Sequence, residues 1–241
     1  MLLAKWVHRD ISAGNIILVK AAKGKVIGKL SDLEYAQEFS STPVGHKDPK
    51  MVGLVSRGVP LAVAELPQGT LFFMPWEVHA RQRLIKPAPY DKNSRPSLQE
   101  RLLTRSSKMK RVEEQRLPFY RYDYDLESLW WILLWTCLFY VPYPPAQEFG
   151  VLIFTDASEP SFQRTMVMRT PENQRIAFSI PPQLEELVPF IHDLHATLYL
   201  NYASVSTDDY GCLKIHEQFW GALCSMIDTV GTMDDIRFFD P

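Results

Sequence analysis

Apolar positions along the chain follow three regimes. Near the start they form short β-type runs, Ile16-Ile-Leu-Val19 and Val26-Ile-Gly-Lys-Leu30. Between them lies Lys20-Ala-Ala-Lys-Gly-Lys25, a polar stretch with one glycine, so the pattern predicts a β-hairpin. From about residue 40 to 70, Ser, Pro and Gly break any period and predict a long loop, a kind of segment that is usually functional or mobile inside a compact domain. A second irregular stretch covers about 86–120, with helical potential near 98–105. The third regime is helical. After Tyr124 the run Asp125-Leu-Glu-Ser-Leu-Trp-Trp-Ile-Leu-Leu-Trp-Thr-Cys-Leu138 is apolar all round; it opens on acidic residues and is followed by Pro142 and Pro144. That predicts a central helix buried on every side. Further helices are predicted over 189–202 and 214–230, the latter with Ile215, Phe219, Leu223, Met226, Ile227 and Val230 on one face. The fold class is α+β, mainly helical after the first 35 residues.

Composition narrows this without changing it. The 241 residues are 46% hydrophobic and 12% aromatic, enough for a packed core built around large rings, and not the composition of a disordered chain, a collagen or a coiled coil. Cys137, Cys212 and Cys224 are too few and too scattered for a disulfide framework or a four-cysteine zinc site. The longest apolar run, 129–141, falls short of the ~20 residues a membrane span needs. With no secretory prefix, the expected setting is intracellular, cytoplasm or nucleus, with no membrane partner.

Charge does alter the picture. The net charge is only -2, yet residues 81–121 hold 12 Lys or Arg against 4 Asp or Glu. A basic block beside an acidic body suits nucleic acid, a phosphorylated partner or the protein's own acidic face. The plainer reading is an exposed, mobile surface insertion; nucleic acid is not the expected partner, because no aromatic residue interrupts 91–117.

The chemistry concentrates in His8-Arg-Asp-Ile-Ser-Ala-Gly-Asn15, which runs straight into the hairpin. Asp10 and Asn15, five apart on a loop, converge if that loop curls, and Asp32 follows the second strand in Leu30-Ser-Asp-Leu-Glu-Tyr-Ala36. Two carboxylates and an amide oxygen on a rigid hairpin are hard donors of the type Mg²⁺ prefers when phosphates complete its shell. Alone, each is an ordinary turn residue. Other candidates are plainer: His192 and His195 at helical spacing lack a third ligand, Cys137 reads as inert core, and Trp130, Trp131 and Trp135 read as packing. Ser106-Ser107 after Arg105 is a generic phosphorylation motif.

These segments resemble the protein-kinase superfamily. His8-Arg-Asp10 with Asn15 is similar to its catalytic loop, and Asp32-Leu-Glu34 to its Asp-Phe-Gly metal motif. Gly69-Thr-Leu-Phe-Phe-Met-Pro-Trp-Glu77 resembles the end of an activation segment, and Asp125-Leu-Glu-Ser-Leu-Trp130 the buried helix beneath the catalytic loop. The wording is most similar to the fungal-type protein kinase domain, over about residues 6–140.

The resemblance implies a kinase large (C-terminal) lobe divided into a catalytic loop and metal hairpin (1–36), an activation segment (37–80), the basic insertion (81–121) and a helical subdomain (122–241). It implies ATP and Mg²⁺ as cofactors and a protein hydroxyl as acceptor, of serine/threonine type. Asp10 would be the base; Asn15 and Asp32 would hold the metal. Arg9 would pair with a phosphorylated residue in the 40–68 loop, and Thr70 would place the substrate. His8, Glu77 and Asp125 would be structural, with Glu77 seeking an arginine lower in the lobe and Asp125 capping N–H groups of the catalytic loop. Ser12 stands where serine/threonine kinases carry Lys, Leu33 and Glu34 where they carry Phe and Gly, and Trp76 where they carry Pro. Glu34 gives up the freedom of glycine at φ > 0.

Met1 lies seven residues before His8, and no Gly-x-Gly-x-x-Gly or Walker-type motif occurs. The expectation is a large lobe with the small lobe absent, weak in ATP binding and inactive alone, completed by a partner or a further segment. Two alternatives stay open. One is a non-catalytic, pseudokinase-like interaction protein. The other is a small-molecule kinase of the aminoglycoside or choline type, which Asp32-Leu-Glu34 also suits.

Overall fold

The computed structural model describes residues 6–20, 26–38, 70–85, 120–171, 173–204 and 213–233. The expected loop over 40–70 and basic insertion over 81–121 fall almost wholly outside these residues, as do the turn at 21–25, the helical potential at 98–105 and Ser106-Ser107. What is described is mainly helical with two small antiparallel sheets.

The first sheet pairs β1 (Trp6–Val7) with β4 (Gln37–Glu38), Val7 opposite Gln37. Between them in sequence runs the predicted hairpin, β2 (Ile16–Lys20) with β3 (Val26–Leu30), in register from Ile16↔Leu30 to Lys20↔Val26. Short one-turn helices at Ala13–Asn15 and Leu33–Tyr35 lead into and out of it. No residue of the hairpin is buried, and Leu18 is 71% exposed. Its strength is therefore in the ladder and not in packing.

The core is organised by α2 (Tyr122–Phe139). None of its described side chains is exposed, as its all-round apolar pattern predicts. Trp130, Trp131, Leu134 and Leu138 are fully buried, and the Trp130 indole donates to the Ile191 carbonyl at 3.0 Å. Asp123 and Asp125 in its first turn sit where a helix N-terminus favours negative charge. Around α2 pack α3 (Pro144–Ile153), α6 (Val188–Ser204) and α7 (Leu213–Val230). Gly150 of α3 lies so close to Phe139 that an added Cβ would come within 2.5 Å of its ring, so only glycine permits this approach.

Four α-helices were not anticipated: α1 (Trp76–Ala80), α3, α4 (Phe162–Arg169) and α5 (Gln174–Ser179). Pro144 and Pro145 do follow the end of α2, but they also occupy the first turn of α3, where a missing N–H costs nothing. Ser161 and Asn173 cap α4 and α5, accepting from Arg164 and Arg175 N–H at 3.0 Å each. α6 and α7 lie where expected. The expected α7 face needs correction, because Ile215 and Phe219 are buried whereas Ile227 and Val230 are 61% and 41% exposed. Only the first half of α7 presses fully on the core. Among the described residues no helix is long and apolar enough to cross a membrane.

Candidate active site

Residues 8–15 leave β1 and curl beneath the hairpin. Arg9 takes φ 72°, left-handed backbone that non-glycine residues adopt only when their surroundings enforce it. Asp125 at the start of α2 does the enforcing. Its two oxygens accept from His8 N–H at 2.7 Å and Arg9 N–H at 3.1 Å, and Tyr120 Oη–H donates to it at 3.0 Å. Burial pushes the Asp125 carboxyl up from its ordinary value, and these donors pull it part of the way back.

The curled loop brings the site residues together. Asp10 Oδ1 accepts from Thr70 N–H at 2.8 Å and Thr70 Oγ1 at 3.3 Å. Asn15 Nδ2 donates to the Asp10 carbonyl at 2.9 Å and to Oδ2 at 3.3 Å, which fixes the amide with its oxygen turned away from Asp10. Ser31 then ties the loop to the segment that carries Asp32. Its N–H and Oγ donate to the Asn15 carbonyl at 2.9 and 3.2 Å, and its own carbonyl accepts from His8 Nε2 at 2.9 Å. His8 is thus a fully buried, hydrogen-bonded residue.

Asp32 follows Ser31 directly, with φ 57° and an exposed side chain. The positive φ at this turn falls on Asp32, while Glu34 sits within the one-turn helix that follows. The Tyr35 hydroxyl is shifted upward first by a hydrogen bond to Glu34 and by its charge, then by desolvation and by the charges of Asp10 and Asp32.

Among the described residues no group of three His, Cys, Asp or Glu side chains forms a metal cluster. The donors on offer are the Asp32 carboxylate and the Asn15 amide oxygen. Such a sparse, hard set suits Mg²⁺, which keeps waters and takes substrate phosphates, and does not suit a metal that needs a complete protein cage.

Arg9 donates from Nη1 to Gln37 Oε1 at 3.1 Å and lies 5.6 Å from the Tyr120 ring centroid; the 40–68 loop expected to face it lies outside the described residues. Glu77 is buried on α1 (Trp76–Ala80). Its partners are Leu84 N–H at 2.8 Å, the Tyr124 hydroxyl and Arg83 at 3.5 Å. The arginine expected lower in the lobe is therefore replaced by one six residues on. Arg164, the buried arginine of α4, goes instead to the carbonyls of Phe72 and Met74. Among the described residues His192 and His195 belong to no metal cluster; His195 is fully buried and stacked on Trp130 at 4.8 Å. Burial pushes the Cys137 thiol up to about 12, as suits an inert core cysteine.

Sequence reasoning missed the residue that carries most of the joinery. Glu127 is fully buried, and its Oε1 accepts from Trp76 N–H at 2.6 Å and Trp131 Nε1 at 2.8 Å; its Oε2 accepts from the Tyr202 hydroxyl. Its neighbour Asp123 pairs with Arg121 and accepts from Asn201. The signal was there: a third carboxylate, two residues after Asp125 and followed at once by the all-round apolar run, needs buried donors.

An aspartate on a loop hung from one buried helix, an asparagine five residues on and an exposed aspartate after the hairpin form a protein-kinase-like arrangement. The family described as fungal protein kinase matches residues 1–137, more than half of the chain, and the chain belongs to that family. No curated protein and no solved structure matches it.

Proposed function

We propose that this chain is the large, catalytic lobe of an ATP- and Mg²⁺-dependent protein kinase that phosphorylates protein hydroxyls. The observation carrying the reading is the convergence of two segments sixty residues apart on one carboxylate, with Asp10 accepting from Thr70 and from Asn15 of its own loop. The turn ending in Met74-Pro-Trp-Glu77 favours a protein acceptor over a small alcohol, because it places an activation-segment end against the base.

In this reading Asp10 orients the acceptor hydroxyl and takes its proton. The hydroxyl oxygen bonds to the γ-phosphorus of ATP as the bond to the β-phosphate oxygen breaks, and ADP leaves with that electron pair. Asn15 Oδ1 and the Asp32 carboxylate would hold Mg²⁺, which would supply counter-charge for the phosphates. Thr70 keeps Asp10 aimed, and Ser31 keeps Asn15 beside Asp32.

The test is transfer of labelled γ-phosphate from Mg·ATP to a mixture of protein acceptors and small alcohols, by wild type and Asp10→Asn. Label on protein that depends on Asp10 supports the reading. Equal labelling by both proteins removes Asp10 as base, and labelling of alcohols alone favours the small-molecule alternative. A folded wild type that labels nothing, alone and with an ATP-binding small lobe supplied, favours a non-catalytic interaction protein.

A further inference from the structure

Arg164 is an expensive residue to bury. It is 1% exposed and lies 4.1 Å from the Trp131 ring centroid; its Nε has no hydrogen-bond partner among the described residues. Burial pulls its guanidinium down to about 9, and the nearby Glu127 charge opposes that, so it stays charged at neutral pH. A buried charge of this kind adds little stability compared with an apolar side chain of the same volume. Its two satisfied nitrogens show what it is for. Nη1 donates to the Phe72 carbonyl and Nη2 to the Met74 carbonyl, both at 2.7 Å.

We propose that Arg164 is a positioning residue for Asp10, acting through the turn at 70–74. The planar guanidinium fork fixes two carbonyls of that turn at once, which a lysine point charge cannot do. Within the turn, Phe73 and Met74 N–H both donate to the Thr70 carbonyl, at 2.9 and 3.0 Å. Thr70 in turn donates twice to Asp10 Oδ1. The far end of the segment is pinned by the residue after Arg164: the Trp76 indole donates to Thr165 Oγ1 at 3.1 Å. Helix α4 thereby sets the direction of the hydrogen bonds that aim the carboxylate. The catalytic meaning of this rests on Asp10 being the base; the mechanical linkage does not.

Arg164→Lys and Arg164→Met test it in the full chain, with amide hydrogen exchange read residue by residue. Exchange at Thr70, Phe73 and Met74 should quicken about tenfold or more in both variants, with the lysine variant the milder, while amides of α2 keep their protection. In γ-phosphate transfer, kcat should fall about tenfold or more with KM for Mg·ATP within about twofold of wild type. Unchanged exchange at Thr70 in a folded variant overturns the proposal. So does loss of protection throughout α2 in both variants, which would make Arg164 a general structural residue. If the exchange pattern holds but wild type transfers no phosphate even with an ATP-binding small lobe supplied, the linkage stands and the kinase reading falls.

Discussion

Asp10 and Asp32 come to the same end of one hairpin, but the protein holds them by different means. The Asp10 carboxylate accepts from Thr70 and Asn15, and its loop hangs by two N–H groups from Asp125 on the most buried helix of the fold. Asp32 is exposed, receives no side-chain hydrogen bond among the described residues, and follows a strand with no buried residue. One carboxylate is preorganised by the fold; the other waits for a ligand to give it partners. That division suits a base, whose aim must be set before substrate arrives, and a metal ligand, whose geometry is completed by ion and phosphates.

The largest effect expected on this contrast is on turnover. Asp10→Asn should lower kcat by roughly 10²–10⁴-fold, because the proton acceptor is lost. The asparagine oxygen can still accept from Thr70 N–H, so thermal denaturation should find the fold unchanged. Turnover close to wild type would break the contrast at its root.

Stability should divide the two sides as cleanly. Asp125→Ala strands the N–H groups of His8 and Arg9 and the Tyr120 hydroxyl, and leaves Arg9 in strained backbone without its anchor. The expected cost in urea denaturation is on the order of 3–5 kcal/mol. Asp32→Ala should stay within about 0.5 kcal/mol of wild type. Equal costs would mean that Asp32 is as braced as Asp10.

Ligand linkage sharpens the same point from the open side. Mg·ATP at about 100 times its Kd should stabilise the folded protein by about 2.7 kcal/mol. Asp32→Ala should lose most of that thermal shift and Asp10→Asn should keep it. The opposite assignment would exchange their roles.

How much of this was readable in the sequence follows from the range of each contact. His8, Asp10, Asn15 and Asp32 act within one loop and hairpin, so motif spacing exposes them. The hairpin, α2, α6 and α7 announce themselves by periodicity. The brace does not: Glu127 meets Trp76 across 51 residues, and Arg164 meets Phe72 across 92. No local pattern encodes such pairings. The short helices α3 to α5 escape notice for a related reason, since α3 is set by its opening prolines and its docking on α2, and α4 and α5 by their caps and their docking on α3, more than by an apolar period of their own. Ile227 misleads in the other direction, because its spacing fits the apolar face of α7 but the core ends before reaching it.

The braced side also contains buried titratable groups, so its stability should respond to pH in a way that single variants expose. Burial raises Glu127 from 4.5 to about 7, against the pull of its hydrogen-bond donors and Arg164. The folded state therefore holds a proton there that the unfolded chain has lost; this contribution is full below pH 4.5 and is lost as pH rises through about 7. Burial lowers His195 from 6.5 to about 4, although the Met168 carbonyl opposes it. Here the unfolded chain takes the proton first; the contribution is full above pH 6.5 and is lost as pH falls through about 4. The two slopes oppose one another between pH 4.5 and 6.5 and nearly cancel in wild type. Glu127→Gln removes one of them gently. Its carbonyl can still accept from Trp76 and Trp131, and its amide can donate to the Tyr202 oxygen. Between pH 6.5 and 4.5 this variant should lose up to about 2–3 kcal/mol relative to wild type, at roughly 1.4 kcal/mol per pH unit. His195→Leu should do the reverse over the same interval, gaining stability toward acid as Glu127 acts unopposed. His79 and His216, both shifted downward, and Asp125, shifted upward, bend all three curves alike, so the differences between proteins isolate the pair. Urea denaturation at pH 4.5, 5.5 and 6.5 measures them, and parallel curves for all three proteins would show that neither buried group titrates with folding.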